Sequence, residues 1–191
     1  MRRFRQGDPG AFETLVSRHR AAVHGFLVRA VGDRARAEDL TQEAWLRVVS
    51  AAPRWEERAR FRTWLFAVAR NLAVDDARRR SIRGQALPLD GPPGPDGPRA
   101  EAAAADDPPP DSLAEGALLR PKLEAAIAAL PAEQREVFLL REYADVPFAE
   151  IAAITGAPEP TVKSRMRYAL EQLRRQLSEI GLAPVAAGRS R

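Results

Sequence analysis

The chain contains no cysteine, which excludes disulfides, thiolate metal sites and cysteine nucleophiles. Its two histidines, His19 and His24, stand five apart and therefore on different faces of a helix, a poor arrangement for a metal ion. No apolar run approaches the roughly 20 residues that span a bilayer, and the N-terminus lacks a signal-peptide pattern. No membrane insertion is expected, and a cytoplasmic location is. Inward-facing carboxylates for metal-dependent hydrolysis are also missing, because Asp75 and Asp76 each precede an arginine by four residues and would pair with it. No residue constellation could perform phosphoryl transfer, so a non-catalytic chain without cofactor or metal is expected.

What is present is arginine, unevenly spread. The net charge of +4 over 191 residues conceals three regions. Residues 1–83 carry 18 arginines against 10 acids, residues 84–116 carry one against 7, and residues 117–191 carry 11 basic residues against 9. A basic unit, an acidic spacer and a mildly basic unit fit a nucleic-acid binder better than a uniform globule.

Helical signals dominate both basic units. Asp8-Pro9 offers an N-cap followed by proline at the first helical position, and Gly32 closes that helix. Asp33 caps a second helix from Arg34 to about Ala52, with Ala37, Leu40, Ala44 and Val48 inward, and Pro53 ends it. Residues 84–116 hold half of the chain's 16 prolines together with clustered glycine and an alanine run, and read as a flexible linker. Helices are then expected over Leu118–Leu130, with Pro121 near the first turn, over Pro131–Tyr143, over Pro147–Ile154 and over Glu159–Ile180, leaving 181–191 as a tail. The fold class is all-α: two small helical domains, 1–83 and 117–180, joined by the 84–116 linker.

The stretch Arg58–Arg83 lacks proline and glycine and reads as one long helix, with Phe61, Leu65, Val68 and Leu72 forming its apolar face. Beside that face, Trp64, Asn71 and Arg78 recur at intervals of seven and so line one flank, with Arg60 near its start. An aromatic plane, a two-way amide and a basic track suit single-stranded nucleic acid, and Arg78, Arg79 and Arg80 would hold phosphates. The plainer alternative is a core helix with Trp64 buried and its arginines solvated. Near the C-terminus, Ile151, Gly156 and the face Val162, Met166, Ala169, Leu170, Leu173 have the pattern of a helix-turn-helix. Its last helix would present Thr161, Ser164, Arg167 and Tyr168, flanked by Lys163 and Arg165, to a major groove. Here the plainer alternative is a helical hairpin that packs on a protein.

Taken together, the motifs resemble the sigma-70 family of bacterial RNA polymerase initiation factors, in its small extracytoplasmic-function group. The first half resembles the family's region 2, in AEDLTQEAW at Ala37–Trp45, FRTWLFAVARN at Phe61–Asn71 and DDARRR at Asp75–Arg80. The second resembles region 4, in LPAEQREVFLLR at Leu130–Arg141, EIA at Glu150–Ala152 and TVKSR at Thr161–Arg165. The resemblance implies a factor that gives core RNA polymerase its promoter specificity. It implies docking on the β′ clamp helices through Asp39, Leu40, Gln42 and Glu43, and a further contact with the β flap. It implies recognition of melted −10 DNA through Arg54, Trp55, Arg58, Arg60, Trp64, Asn71 and Arg78–Arg80, with Asn71 holding a flipped base. Duplex −35 DNA would meet Thr161, Lys163, Ser164, Arg165, Arg167 and Tyr168. Promoter DNA and an anti-sigma protein are the other implied partners. Pro160 stands where glycine commonly precedes TVKSR, and Tyr168 where many members have arginine, so no −35 sequence is implied.

Two other classes compete. A helix-turn-helix regulator acting without polymerase would bind duplex DNA as a symmetric dimer, and has no use for the Trp64–Asn71–Arg78 stripe or the Asp39–Glu43 turn. A small nucleic-acid enzyme would need the inward carboxylates that the arginine pairing denies it.

Overall fold

In the computed structural model, which describes residues 1–56, 60–86 and 113–179, every described element is helical. They are α1 (Arg2–Arg5), α2 (Pro9–Val31), α3 (Arg34–Ala51), a single 3₁₀ turn (Ala52–Arg54), α4 (Phe61–Ala86), α5 (Leu113–Ala128), α6 (Ala132–Glu142), α7 (Phe148–Thr155) and α8 (Glu159–Glu179). Residues 87–112 of the expected linker, Ile180 of the expected last helix and the tail 181–191 lie outside the described residues, as does Arg58. Helix extends to Ala86 and begins again at Leu113, so helical backbone enters both ends of the segment expected as linker.

Local chemistry explains the boundaries. The Asp8 carboxylate accepts a hydrogen bond from the Ala11 amide at 3.2 Å and Pro9 follows it, so α2 starts where its free amides are capped. Gly32, at φ 76°, takes the left-handed conformation that ends α2, and its amide bonds the Val28 carbonyl at 2.8 Å. Asp33 then caps α3 through the Arg36 amide at 3.0 Å. Pro121 falls in the interior of α5 rather than its first turn, because that helix starts well before Leu118. The ring removes the N–H that would have bonded the Ala117 carbonyl.

The first three long helices pack around Val23, Phe26, Leu27, Leu40, Val48, Leu65, Phe66 and Leu72. The apolar face of α4 is rotated from the expected one. Leu65 and Leu72 are fully buried, but Phe66 and Ala69 join them while Phe61 and Val68 are only partly covered. Phe66 meets Phe26 edge-on at 5.5 Å, which draws that side of α4 inward. In the second half, α8 lies against α5, α6 and α7, burying Val162, Met166, Ala169 and Leu173. The two halves also touch, α2 packing on α6 and α5.

Both histidines serve this packing. His19 lies against Phe61 at 5.6 Å, and burial first, then the cations Arg62 and Arg18, hold its pKa below the ordinary 6.5. His24 is lowered too, mainly by burial, with its Nδ1 at 3.3 Å from the Thr41 hydroxyl. A histidine lowered on folding takes up its proton more readily in the unfolded chain, so folding weakens as pH falls through about 6.5. The melting temperature, followed by circular dichroism, should fall between neutrality and the carboxylate range, and His19→Gln should flatten that fall. A melting temperature that rises over the same window would contradict it.

Candidate nucleic-acid and partner interfaces

One ion-pair cluster organises the first half. The Asp76 carboxylate has 0% exposure and is gripped by Arg36 of α3, through Nε at 2.7 Å and Nη2 at 2.6 Å. Arg80 approaches its second oxygen at 3.1 Å, without the alignment of a hydrogen bond. Hydrogen bonding to Asp76, then its charge, raises the Arg36 pKa. The expected Asp76–Arg80 pair is therefore present, but Asp76 reaches mainly across to α3. Asp75, by contrast, makes no ion pair with Arg79 among the described residues, and its arginine neighbours Arg78 and Arg79 remain exposed.

That clamp fixes the flank of α4. Asn71 and Arg78 are exposed and Trp64 is half-buried. The Trp64 ring rests on an aromatic cluster, 4.8 Å from Trp55 and 6.0 Å from Phe61. Trp55 is only 8% exposed, with its carbonyl accepting from Arg5 at 2.9 Å. It thus supports Trp64 from behind instead of offering its own face. Arg54 and Arg60 are exposed at either side of the connecting loop. The Asn71 side-chain oxygen accepts from its neighbour Arg70 at 3.3 Å. The Trp64–Asn71–Arg78 flank is thus assembled, resting on an aromatic platform and ending in a cationic track.

On α3, Leu40 is 2% exposed and belongs to the core, so its side chain holds the helix rather than facing a partner. Asp39 and Gln42 are exposed beside it, and Glu43 is half-exposed and paired to Arg47 at 2.8 Å. Asp39 keeps only a loose 3.9 Å approach from Arg36 and is the freest acid of this turn. Two residues that periodicity missed adjoin it: Leu46, 68% exposed, and Val49. With Phe12, Val16 and Trp45 they line a groove of about 1140 Å³ between α2 and α3. The signal for them was one apolar position too many, since Leu46 and Val49 fall off the buried stripe Leu40–Ala44–Val48.

The helix-turn-helix is formed by α7, the turn at Gly156 with φ 72°, and α8. Lys163, Ser164, Arg167 and Tyr168 are exposed on α8, Thr161 is partly covered, and the Arg167 guanidinium lies 4.9 Å over the Tyr168 ring. Arg165 departs from the expected outward set, because it turns back to pair with Glu133 of α6. Lys163 is paired with Glu159 at 2.7 Å, and the Ser164 hydroxyl donates to the Pro160 carbonyl at 2.9 Å.

The described helices thus make an all-α chain with the Trp64–Asn71–Arg78 flank on α4 in one half and a helix-turn-helix in the other. Residues 15–82 match the family Sigma-70 region 2, and residues 120–173 match Sigma-70, region 4. The RNA polymerase sigma factor CarQ of Myxococcus xanthus is 35% identical over 183 residues, covering 95% of this chain and 98% of its own. The ECF RNA polymerase sigma factor SigL of Mycobacterium tuberculosis is 34% identical, covering 92% of this chain and 93% of its own. In fold, the chain is similar to the sigma factor RpoE of Bartonella quintana, solved in complex with the anti-sigma factor NepR. That likeness has a TM-score of 0.68 at 23% identity and covers 88% of this chain and 97% of that one. The chain belongs to the sigma-70 family of RNA polymerase sigma factors, in the ECF group.

The two neighbouring aspartates give a direct check of the clamp. Asp76→Asn should lower the melting temperature clearly, because it strips the buried carboxylate charge from Arg36, while Asp75→Asn should change it little. Equal losses from the two substitutions would contradict the clamp.

Proposed function

We propose that the chain binds core RNA polymerase through the exposed surface of α3, opens and holds the −10 strand on the flank of α4, and reads −35 duplex with α8. The observation that carries this is the flank of half-buried Trp64 and exposed Asn71 and Arg78 on its aromatic platform, in a chain that also holds a helix-turn-helix. A regulator that binds only duplex DNA needs the second feature and has no work for the first.

Each step has a physical basis. Flipping a base out of the duplex costs a few kcal/mol, and stacking on an aromatic side chain returns about 1–3 kcal/mol. Trp64 is oriented by Trp55 and Phe61, so little ordering is left to do when a base stacks on it. The Asn71 amide, which both donates and accepts, would hold the flipped base, while Arg54, Arg60 and Arg78–Arg80 would neutralise phosphates. On α3, the Asp39 and Gln42 side chains together with Leu46 and Val49 make a mixed acidic and apolar surface, suited to a basic amphipathic helix pair such as the polymerase β′ clamp. The second half would contact the β flap, and Lys163, Ser164, Arg167 and Tyr168 would face the −35 groove.

The same reading makes the chain a non-catalytic, cytoplasmic initiation subunit. No described helix is long and apolar enough to cross a membrane. Because sigma–anti-sigma complexes are among the folds it resembles, an anti-sigma protein is a proposed partner, covering the surfaces that polymerase and DNA would otherwise take.

Two substitutions test the assignment. Asp39→Arg inverts charge on an exposed turn, so it should abolish co-elution with core polymerase while leaving the circular dichroism melt unchanged; retained binding would remove α3 as the docking surface. Asn71→Ala should reduce discrimination among −10 variants in the holoenzyme by about tenfold and leave −35 discrimination intact. An equal loss at both elements would contradict the pocket.

A further inference from the structure

Residues 1–7 precede the stretch 15–82 that matches region 2, and the proposed function gives them no role. A helix of four residues such as α1 has no stability of its own, so its contacts must hold it. On one side it is tied to α2. The Phe4 ring stacks on Phe12 at 4.8 Å, Arg3 pairs with Asp8 at 2.7 Å, and the Asp8 amide bonds the Arg3 carbonyl at 3.1 Å. Asp8 is also the cap of α2, so one carboxylate starts that helix and anchors α1 to it.

On the other side α1 meets the loop that leads into α4. Arg5 Nη1 donates to the Trp55 carbonyl at 2.9 Å, across 50 residues of sequence. Met1 and Arg2 line, together with Trp55 and Phe61, a cavity of about 320 Å³. The Trp55 amide is already used inside the 3₁₀ turn, on the Ala52 carbonyl at 3.2 Å. Arg5 thus fixes the outgoing peptide, at the residue where the chain leaves that turn in extended conformation. A guanidinium donor makes such a bond stronger than a neutral donor would.

The ring carried by that same residue is what Trp64 rests on. Trp55 and Trp64 stand 4.8 Å apart at 72°, and Phe61 meets both rings at 6.0 Å. Freed of the Arg5 bond, the Trp55 peptide can rotate, and its ring shifts beneath Trp64. We propose that residues 1–7 form a strap in which Arg5 is a positioning residue for the −10 strand, holding Trp55 so that Trp64 presents its ring at a set angle. The strap itself rests on these contacts alone, while its bearing on promoter choice rests on the strand-binding role proposed above for the α4 flank.

The test uses the full-length chain. Of its three tryptophans, Trp45→Phe leaves Trp55 and Trp64 as the fluorescent pair. In that background Arg5→Met, which keeps an apolar stem and removes the donors, should raise quenching by acrylamide. Unchanged quenching overturns the strap. In holoenzyme assembled on core polymerase, with Trp45 in place, Arg5→Met should lower discrimination among −10 variants several-fold and leave −35 discrimination unchanged. A loss of equal size at both elements marks general destabilisation and overturns the positioning role. Arg5→Lys keeps a charged donor and should recover most of the −10 discrimination; no recovery overturns the hydrogen bond as the cause, and the role with it. Trp64→Ala separates this inference from the reading beneath it. Where Trp64→Ala lowers −10 discrimination and Arg5→Met does not, the positioning role alone fails. Where Trp64→Ala leaves it unaltered, the strand-binding reading fails and takes the positioning role with it, while the quenching still decides the strap.

Discussion

A carboxylate with no access to solvent is the constraint on which the first half depends. Arg36 crosses from α3 to meet the buried Asp76 with two nitrogens, and Arg80 approaches its other oxygen. The consequence is geometric. Arg36 stands one turn before Asp39 on α3, and Asp76 stands just before Arg78–Arg80 on α4. The same pair that keeps a buried charge neutralised therefore fixes the proposed polymerase surface against the proposed strand surface. A factor that must hold melted DNA at a set place on a polymerase needs that rigidity, and the apolar packing of Phe26 on Phe66 alone would leave more freedom for α4 to turn.

Much of this was legible in the sequence because it depends on neighbours along the chain. The Asp8–Pro9 cap, the Gly32 stop and the Asp33 cap are local chemistry, and they place α2 and α3 closely. The alignment of Trp64, Asn71 and Arg78 along α4 follows from helical spacing, with Asn71 and Arg78 exposed and Trp64 half-buried. What escaped depends on partners far away in sequence. Spacing does not say that Trp55 is covered, yet Phe61 and Trp64 of α4 pack on its ring and Arg5, 50 residues away, bonds its carbonyl. Asp76 continues the buried side Leu65–Ala69–Leu72 of α4, where it meets Arg36, 40 residues away, while Asp75 is only partly covered. Leu40 lies in the core, as its spacing with Ala37, Ala44 and Val48 predicts and against the docking role that the resemblance implies, and Leu46 and Val49 take the exposed apolar places. Arg165 looked outward until Glu133 drew it back.

The two halves handle charge differently. In the first, arginines outnumber acids and several are left exposed toward the proposed DNA. In the second, the acids Glu124, Glu133, Glu136 and Glu150 each hold an arginine or a hydroxyl, whether from the same half or from the other. Such pairing is modest in strength and sensitive to competition by phosphates.

The central claim is that this chain gives polymerase a choice of start site through the surfaces of α3, α4 and α8. The most direct measurement adds the purified chain to bacterial core RNA polymerase free of any other sigma factor, supplies fragmented genomic DNA, and maps the 5′ ends of the transcripts. Start sites that appear only with the chain present, each preceded by the same pair of short sequence blocks at fixed spacing, are the predicted result. Transcript ends indistinguishable from those of core polymerase alone would contradict the account.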